Sequence, residues 1–84
     1  MTISDQTFLR TAILEIFRES LENEPIALED LNKFVYLQNE SEIIDRDIEW
    51  TWQHLIASSR KRLVDDSALT REKIGKTTYY TLSN

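Results

Sequence analysis

Phe8, Leu9, Ala12, Ile13, Ile16, Phe17 and Leu21 recur at intervals of three and four residues, the spacing that gathers side chains on one face of a helix. With Ser4 or Asp5 as its polar cap, this stripe predicts a first helix with one buried face. The stripe ends at Glu22-Asn23-Glu24, and Pro25 forbids a helical continuation while biasing Glu24 toward an extended backbone. A short extended stub at Ile26 comes next. Leu28, Leu31, Phe34 and Val35 then resume the helical period, predicting a second helix over 27–38 whose acidic start, Glu29-Asp30, suits the positive end of the helix dipole. Residues 39–47 (NESEIIDRD) are polar apart from Ile43 and Ile44 and read as a turn, with Asp45 or Asp47 capping the next helix.

A third helix is predicted over 48–65. With Trp52 set at zero on a wheel of 100° per residue, Ile48, Leu55, Ile56, Ser59 and Leu63 fall within about 60° of it, so Trp52 is expected to centre the buried stripe. The opposite face carries Trp50, His54, Ala57 and Lys61, flanked by Gln53 and Arg60 on one side and Ser58 and Arg62 on the other. Beyond Asp65-Asp66-Ser67, the segments Leu69 to Ile74 and TTYYTL (77–82) read as two strands, and Gly75 supplies the positive φ of a tight hairpin. Helix, stub, helix, turn, helix and hairpin is the order of an α+β winged helix-turn-helix: three helices, a C-terminal β-hairpin wing, and a stub near Ile26 adding a third strand. So short a hairpin needs helices behind it, the first helix foremost.

The 84 residues are expected to form one winged-helix domain over 1–84, small enough that the core must be compact. Without cysteine there is no disulfide framework or thiolate metal site. The polar start MTISDQTFLR lacks the layout of a secretion signal, and no apolar run approaches the roughly 20 residues that cross a bilayer; a cytoplasmic location without membrane partners is expected. The net charge of −5 opposes a simple nucleic-acid binder, but it is unevenly spread. Residues 1–49 hold four basic and twelve acidic groups, whereas residues 50–84 hold six basic and three acidic ones. Such asymmetry points to an anion-facing end, though it also serves solubility.

From Pro25 onward, PIALEDL (25–31), WQHLIASSRKRL (52–63) and GKTTYYTLS (75–83) resemble the winged helix-turn-helix domains at the amino terminus of Mrr-type restriction endonucleases and related prokaryotic proteins. Arg60, Leu63, Gly75, Tyr80 and Leu82 stand where that family places its helix Arg, its Leu, and its glycine-initiated wing. Asp66, Ser67 and Ala68 depart from the usual Gly-Leu after the helix, and no nuclease domain is expected among these residues. The resemblance implies DNA binding, in a prokaryotic regulatory protein acting on transcription or a DNA-processing accessory protein, and implies nothing about cleavage.

One His, no Cys and no Gly-rich phosphate loop leave no constellation for an enzyme, a metal or a cofactor, and none is expected. The basic set carries the functional signal. Lys61, Arg71, Lys73 and Lys76, with Arg60, are the expected DNA contacts, mostly to phosphate, and Gln53 is the base reader. Trp50 fits a major groove poorly. With His54 it suits the alternative, a protein partner or homodimer interface without double-stranded DNA.

Overall fold

The computed structural model of the chain describes residues 4–19 and 24–83. It is an α+β arrangement of three helices, α1 (Asp5–Glu19), α2 (Leu28–Asp45) and α3 (Trp52–Asp65), and three strands, β1 (Ile26–Ala27), β2 (Leu69–Ile74) and β3 (Thr77–Leu82). The strands form one antiparallel sheet in the order β1-β3-β2, with Ile26 opposite Tyr80 and Leu69 opposite Leu82. The stub at Ile26 therefore pairs with the hairpin as expected. Among the described residues no helix is long and apolar enough to cross a membrane.

Ser4 caps α1: its Oγ accepts the Thr7 amide at 3.1 Å, satisfying one N–H that the helix leaves without a partner. From that start Phe8, Leu9, Ala12, Ile13 and Phe17 are buried; Leu21, Glu22 and Asn23, predicted to end the stripe, lie outside the described residues. They meet Leu31, Val35 and Ile43 of α2, Ile56 and Leu63 of α3, and Leu69 and Tyr80 of the sheet in one core. Ser59 is buried on α3, where its Oγ donates to Leu55 O at 2.8 Å in the turn before it, so a hydroxyl sits in the core satisfied by its own helix. The hairpin rests on all three helices, as a hairpin needing helices behind it would, with α1 not foremost among them.

Three expectations are corrected. The helix expected over 27–38 does end there, at a kink: Asn39 is non-helical (φ −124°, ψ 16°) and its Nδ2 donates to Val35 O at 3.0 Å, but a further helical stretch follows it to Asp45, so that α2 is two helices joined across Asn39. The polar stretch expected to be a turn is helix exposed on most sides, with Ile43 alone turned to the core. The actual stop is a Schellman turn: Asp47 takes φ 60°, its amide donates to Ile44 O, and Ile48 N donates to Ile43 O while Ile43 and Ile48 bury together. Asp47 thus ends α2 instead of capping α3, whose N-cap position is Thr51 with no side-chain cap bond.

Consequently α3 starts at Trp52 rather than at 48. Trp52, being the first helical residue, overhangs the end of the core and is half-buried, its ring 5.1 Å from that of Tyr36; Ile56 takes the central buried place expected of it. A second Schellman turn closes α3, with Ser67 at φ 63° and Ala68 N donating to Leu63 O at 2.8 Å. It aims the chain into β2. At the far end of the hairpin Gly75 takes φ 63° in the first of two loop positions between Ile74 and Thr77, as a type II′ turn requires.

Candidate nucleic-acid interface

Pairing in the hairpin decides where its cations sit. Arg71 is opposite Tyr80 and Lys73 opposite Thr78, so all four side chains leave the same face of the sheet. That is the face whose other end, at Leu69 and Tyr80, enters the core. Beyond the core the strands project, and Arg71, Lys73, Thr78, Tyr80 and Leu28 line an open recess of about 420 Å³ beside the start of α2. Arg71 and Lys73 are exposed and form no ion pair among the described residues. Lys76, at the tip, is exposed too, but shares a smaller recess of about 230 Å³ with Glu29 and Asp30. Those carboxylates offset part of its field, leaving Arg71 and Lys73 as the stronger anion site.

The α3 cations are arranged differently. Arg60, expected among the DNA contacts, is turned inward and retains only 9% of its surface exposure. Its Nη1 donates to Asn32 Oδ1 on α2, and its guanidinium lies 5.9 Å from the Tyr80 ring centre, so it joins α2, α3 and β3. Arg60 therefore offers little surface to a phosphate in this conformation. Lys61 and Arg62 stay exposed, each paired one turn on, Lys61 Nζ to Asp65 at 3.1 Å and Arg62 Nε to Asp66 at 3.0 Å. Exposed pairs of this kind hold their partners weakly, by about 0.3–0.5 kcal/mol. Both cations remain available to a ligand.

Gln53 and His54 are exposed in the first turn of α3, where an edge-reading side chain would lie. Trp50 is not on that helix: it stands in the preceding turn with 90% of its surface exposed. Its expected place beside His54 on the exposed face of the third helix is therefore replaced by a protruding corner. Among the described residues no group of three or more His, Asp and Glu side chains is placed to hold a metal ion.

Two features escape a reading of the sequence. Arg46 bridges Glu42 at 2.8 Å and Asp5 at 3.0 Å while stacking 4.5 Å above Phe8, fastening the end of α2 to the start of α1. Held by two carboxylates, its guanidinium is shifted above its ordinary pKa, chiefly by the hydrogen bond it donates to Glu42. The second feature is a groove of about 570 Å³ between α1, β1 and α2, with an apolar wall of Ile16, Pro25, Ile26, Phe34 and Leu37 and a polar rim of Glu24, Glu19 and Gln38, the last two hydrogen-bonded to each other. The spacing of Phe34 and Leu37 signals an apolar face, but Leu31 and Val35 compete with it for the role of core. Comparison with protein-family models, with curated proteins and with solved structures finds no match to this chain.

Proposed function

We propose that the chain is a winged helix-turn-helix module that binds duplex DNA through its wing and the exposed flank of α3, in the role of a prokaryotic regulatory or DNA-processing accessory protein. One observation carries the reading: Arg71 and Lys73 stand together, exposed and without ion pairs among the described residues, on the projecting face of the hairpin. They supply phosphate contacts, with Lys61 and Lys76 as outer contributors and Gln53 as the base reader. The acidic first half of the chain repels a duplex, which orients it onto this side and keeps affinity modest. The resemblance to the amino-terminal domains of Mrr-type endonucleases supports the same assignment, with the Arg60 position serving the fold instead of the ligand.

The test is fluorescence anisotropy with mixed-sequence duplex at low and moderate salt. Wild-type protein is expected to bind with a log affinity that falls linearly with log salt, and each wing cation removed is expected to flatten that slope by about one unit. No binding at low salt, or binding unchanged when Arg71, Lys73 and Lys76 are neutralised together, would refute it. A second reading, a protein-binding or self-associating module, is favoured by Trp50, since an almost wholly exposed indole is typical of interface anchors.

A further inference from the structure

We propose that the recess beside the wing is a site for a phosphate monoester, the terminal phosphate of a DNA strand or of a free mononucleotide, in preference to the internal diester of a duplex. The proposal rests on the wing as the anion-facing surface and names the anion. Register brings four donors to one patch: Arg71 is opposite Tyr80 and Lys73 opposite Thr78, and all four line the recess of about 420 Å³ together with Leu28 at the start of α2. Directly opposed residues on a sheet face stand about 5 Å apart, and the next pair along is about 7 Å away. One small anion can therefore reach all four.

Each of the four has donors to spare. Arg71 and Lys73 are exposed, with no ion pair and no side-chain hydrogen bond among the described residues. Tyr80 carries the argument further, because it is only 5% exposed, its hydroxyl has no hydrogen-bond partner among the described residues, and that oxygen is nevertheless not sealed from solvent. A polar group on a buried side chain ordinarily finds a partner, so a phenol left open at the edge of a recess points to one supplied from outside. Thr78, half-buried, adds a second free hydroxyl. Near Tyr80 the Arg60 guanidinium lies 5.9 Å from the ring centre and is bonded to the neutral Asn32, so no carboxylate cancels its charge and it adds to the positive field.

Charge and donor count choose between the two kinds of phosphate. A monoester near neutral pH carries close to two negative charges and three free oxygens, which two cations and two hydroxyls match. An internal diester offers one charge and two free oxygens, and Arg71 with Lys73 alone would exhaust them. The surroundings act in the same direction. Glu29 and Asp30 line the neighbouring recess at the wing tip, and Glu72 leaves the opposite face of the hairpin. A long polyanion passes close to these carboxylates, whereas a compact terminal group meets the cations first.

Four probes test the site, through the amide shifts of residues 71–80 in NMR titrations and through competition in fluorescence anisotropy: deoxyadenosine 5′-monophosphate, its methyl phosphodiester, and one blunt duplex carrying either 5′-phosphates or 5′-hydroxyls. The monophosphate is expected to bind at least about fivefold more tightly than its methyl ester, and Arg71→Gln combined with Lys73→Gln to abolish that binding. Tyr80→Phe removes only the unpartnered hydroxyl, so it should keep the wild-type melting midpoint while weakening the monophosphate about threefold or more; Thr78→Val should do the same. A duplex that gains from its 5′-phosphates identifies a DNA end as the source, and a preference confined to the free monophosphate identifies a mononucleotide. Equal binding of monophosphate and methyl ester, or undiminished monophosphate binding in both Tyr80→Phe and Thr78→Val, would overturn the proposal. A hairpin-capped duplex without ends separates the two readings: bound in a salt-dependent way while the monophosphate is ignored, it leaves duplex binding standing and this site refuted, and the opposite pattern does the reverse.

Discussion

The cations of α3 and those of the hairpin are equal in number and adjacent in sequence, but they are used differently. Arg60 is buried as a link between Asn32 and Tyr80, and Lys61 and Arg62 lean on carboxylates of their own helix. Arg71 and Lys73 have no such carboxylate partners among the described residues and project from the core on a two-stranded ribbon. A basic run in a sequence therefore states how much charge there is and not whether the fold has already used it. SSRKRL is the denser patch, yet the sparser alternation in β2 leaves more charge open to a ligand.

The contrast breaks first at Arg60. Arg60→Ala is expected to lower the unfolding free energy by about 2–3 kcal/mol, through lost packing and a stranded Asn32, whereas Arg71→Ala should stay within about 0.5 kcal/mol of wild type. Urea denaturation of the two variants checks this, and equal losses would mean that Arg60 is not a structural link. In duplex binding the order should reverse. Neutralising Arg71, Lys73 and Lys76 together should flatten the salt dependence by about three units, against about one or less for Lys61 and Arg62 changed together to Gln. An equal response from the two sets would put α3 and the hairpin on the same footing.

Smaller effects sharpen the boundary between the two regions. Ser67 holds a left-handed backbone where α3 turns into β2, so Ser67→Gly should raise stability by about 0.5–1 kcal/mol in thermal unfolding without altering the hairpin. Least of all, Lys61→Ala should shift stability by no more than about 0.5 kcal/mol, the worth of an exposed pair. A larger loss in the same thermal measurement would show that the Lys61–Asp65 contact is part of the fold after all.

Much of the architecture is legible in the sequence because periodicity is a direct imprint of burial. The α1 stripe, the Ser4 cap, the stub at Ile26 and a hairpin turning at Gly75 all arise from local pattern, and all are present. The second half of α2 is not legible, since Asn39 to Asp45 bury one side chain and a helix that buries so little shows no apolar period. Its stop is hidden for a related reason: Asp47 occupies the left-handed position that glycine usually announces. The displaced start of α3 then carries Trp52 from the centre of the core to its edge. Of the interface residues, the strand alternation of Arg71 and Lys73 is readable from period two, but the inward turn of Arg60 is not. Its position on the flank of the wheel allows a long side chain to go either way, and the choice is made by Asn32 and Tyr80, distant in sequence.

The strand order β1-β3-β2 also bears on how the chain avoids unwanted company. Placing β3 in the middle hides its TTYYTL run, the most β-prone and least charged in the chain, between two neighbours. The outer strands make poor templates: β1 is two residues long and comes directly after Pro25, while β2 presents Arg71, Glu72 and Lys73 in succession. An approaching strand would find a short edge on one side and alternating charge on the other, which disfavours edge-to-edge growth into fibrils. Shortening β1 would bare that middle strand, and neutralising β2 would turn the outer edge of the sheet into a template, so the charges that offer β2 to an anion also guard the sheet.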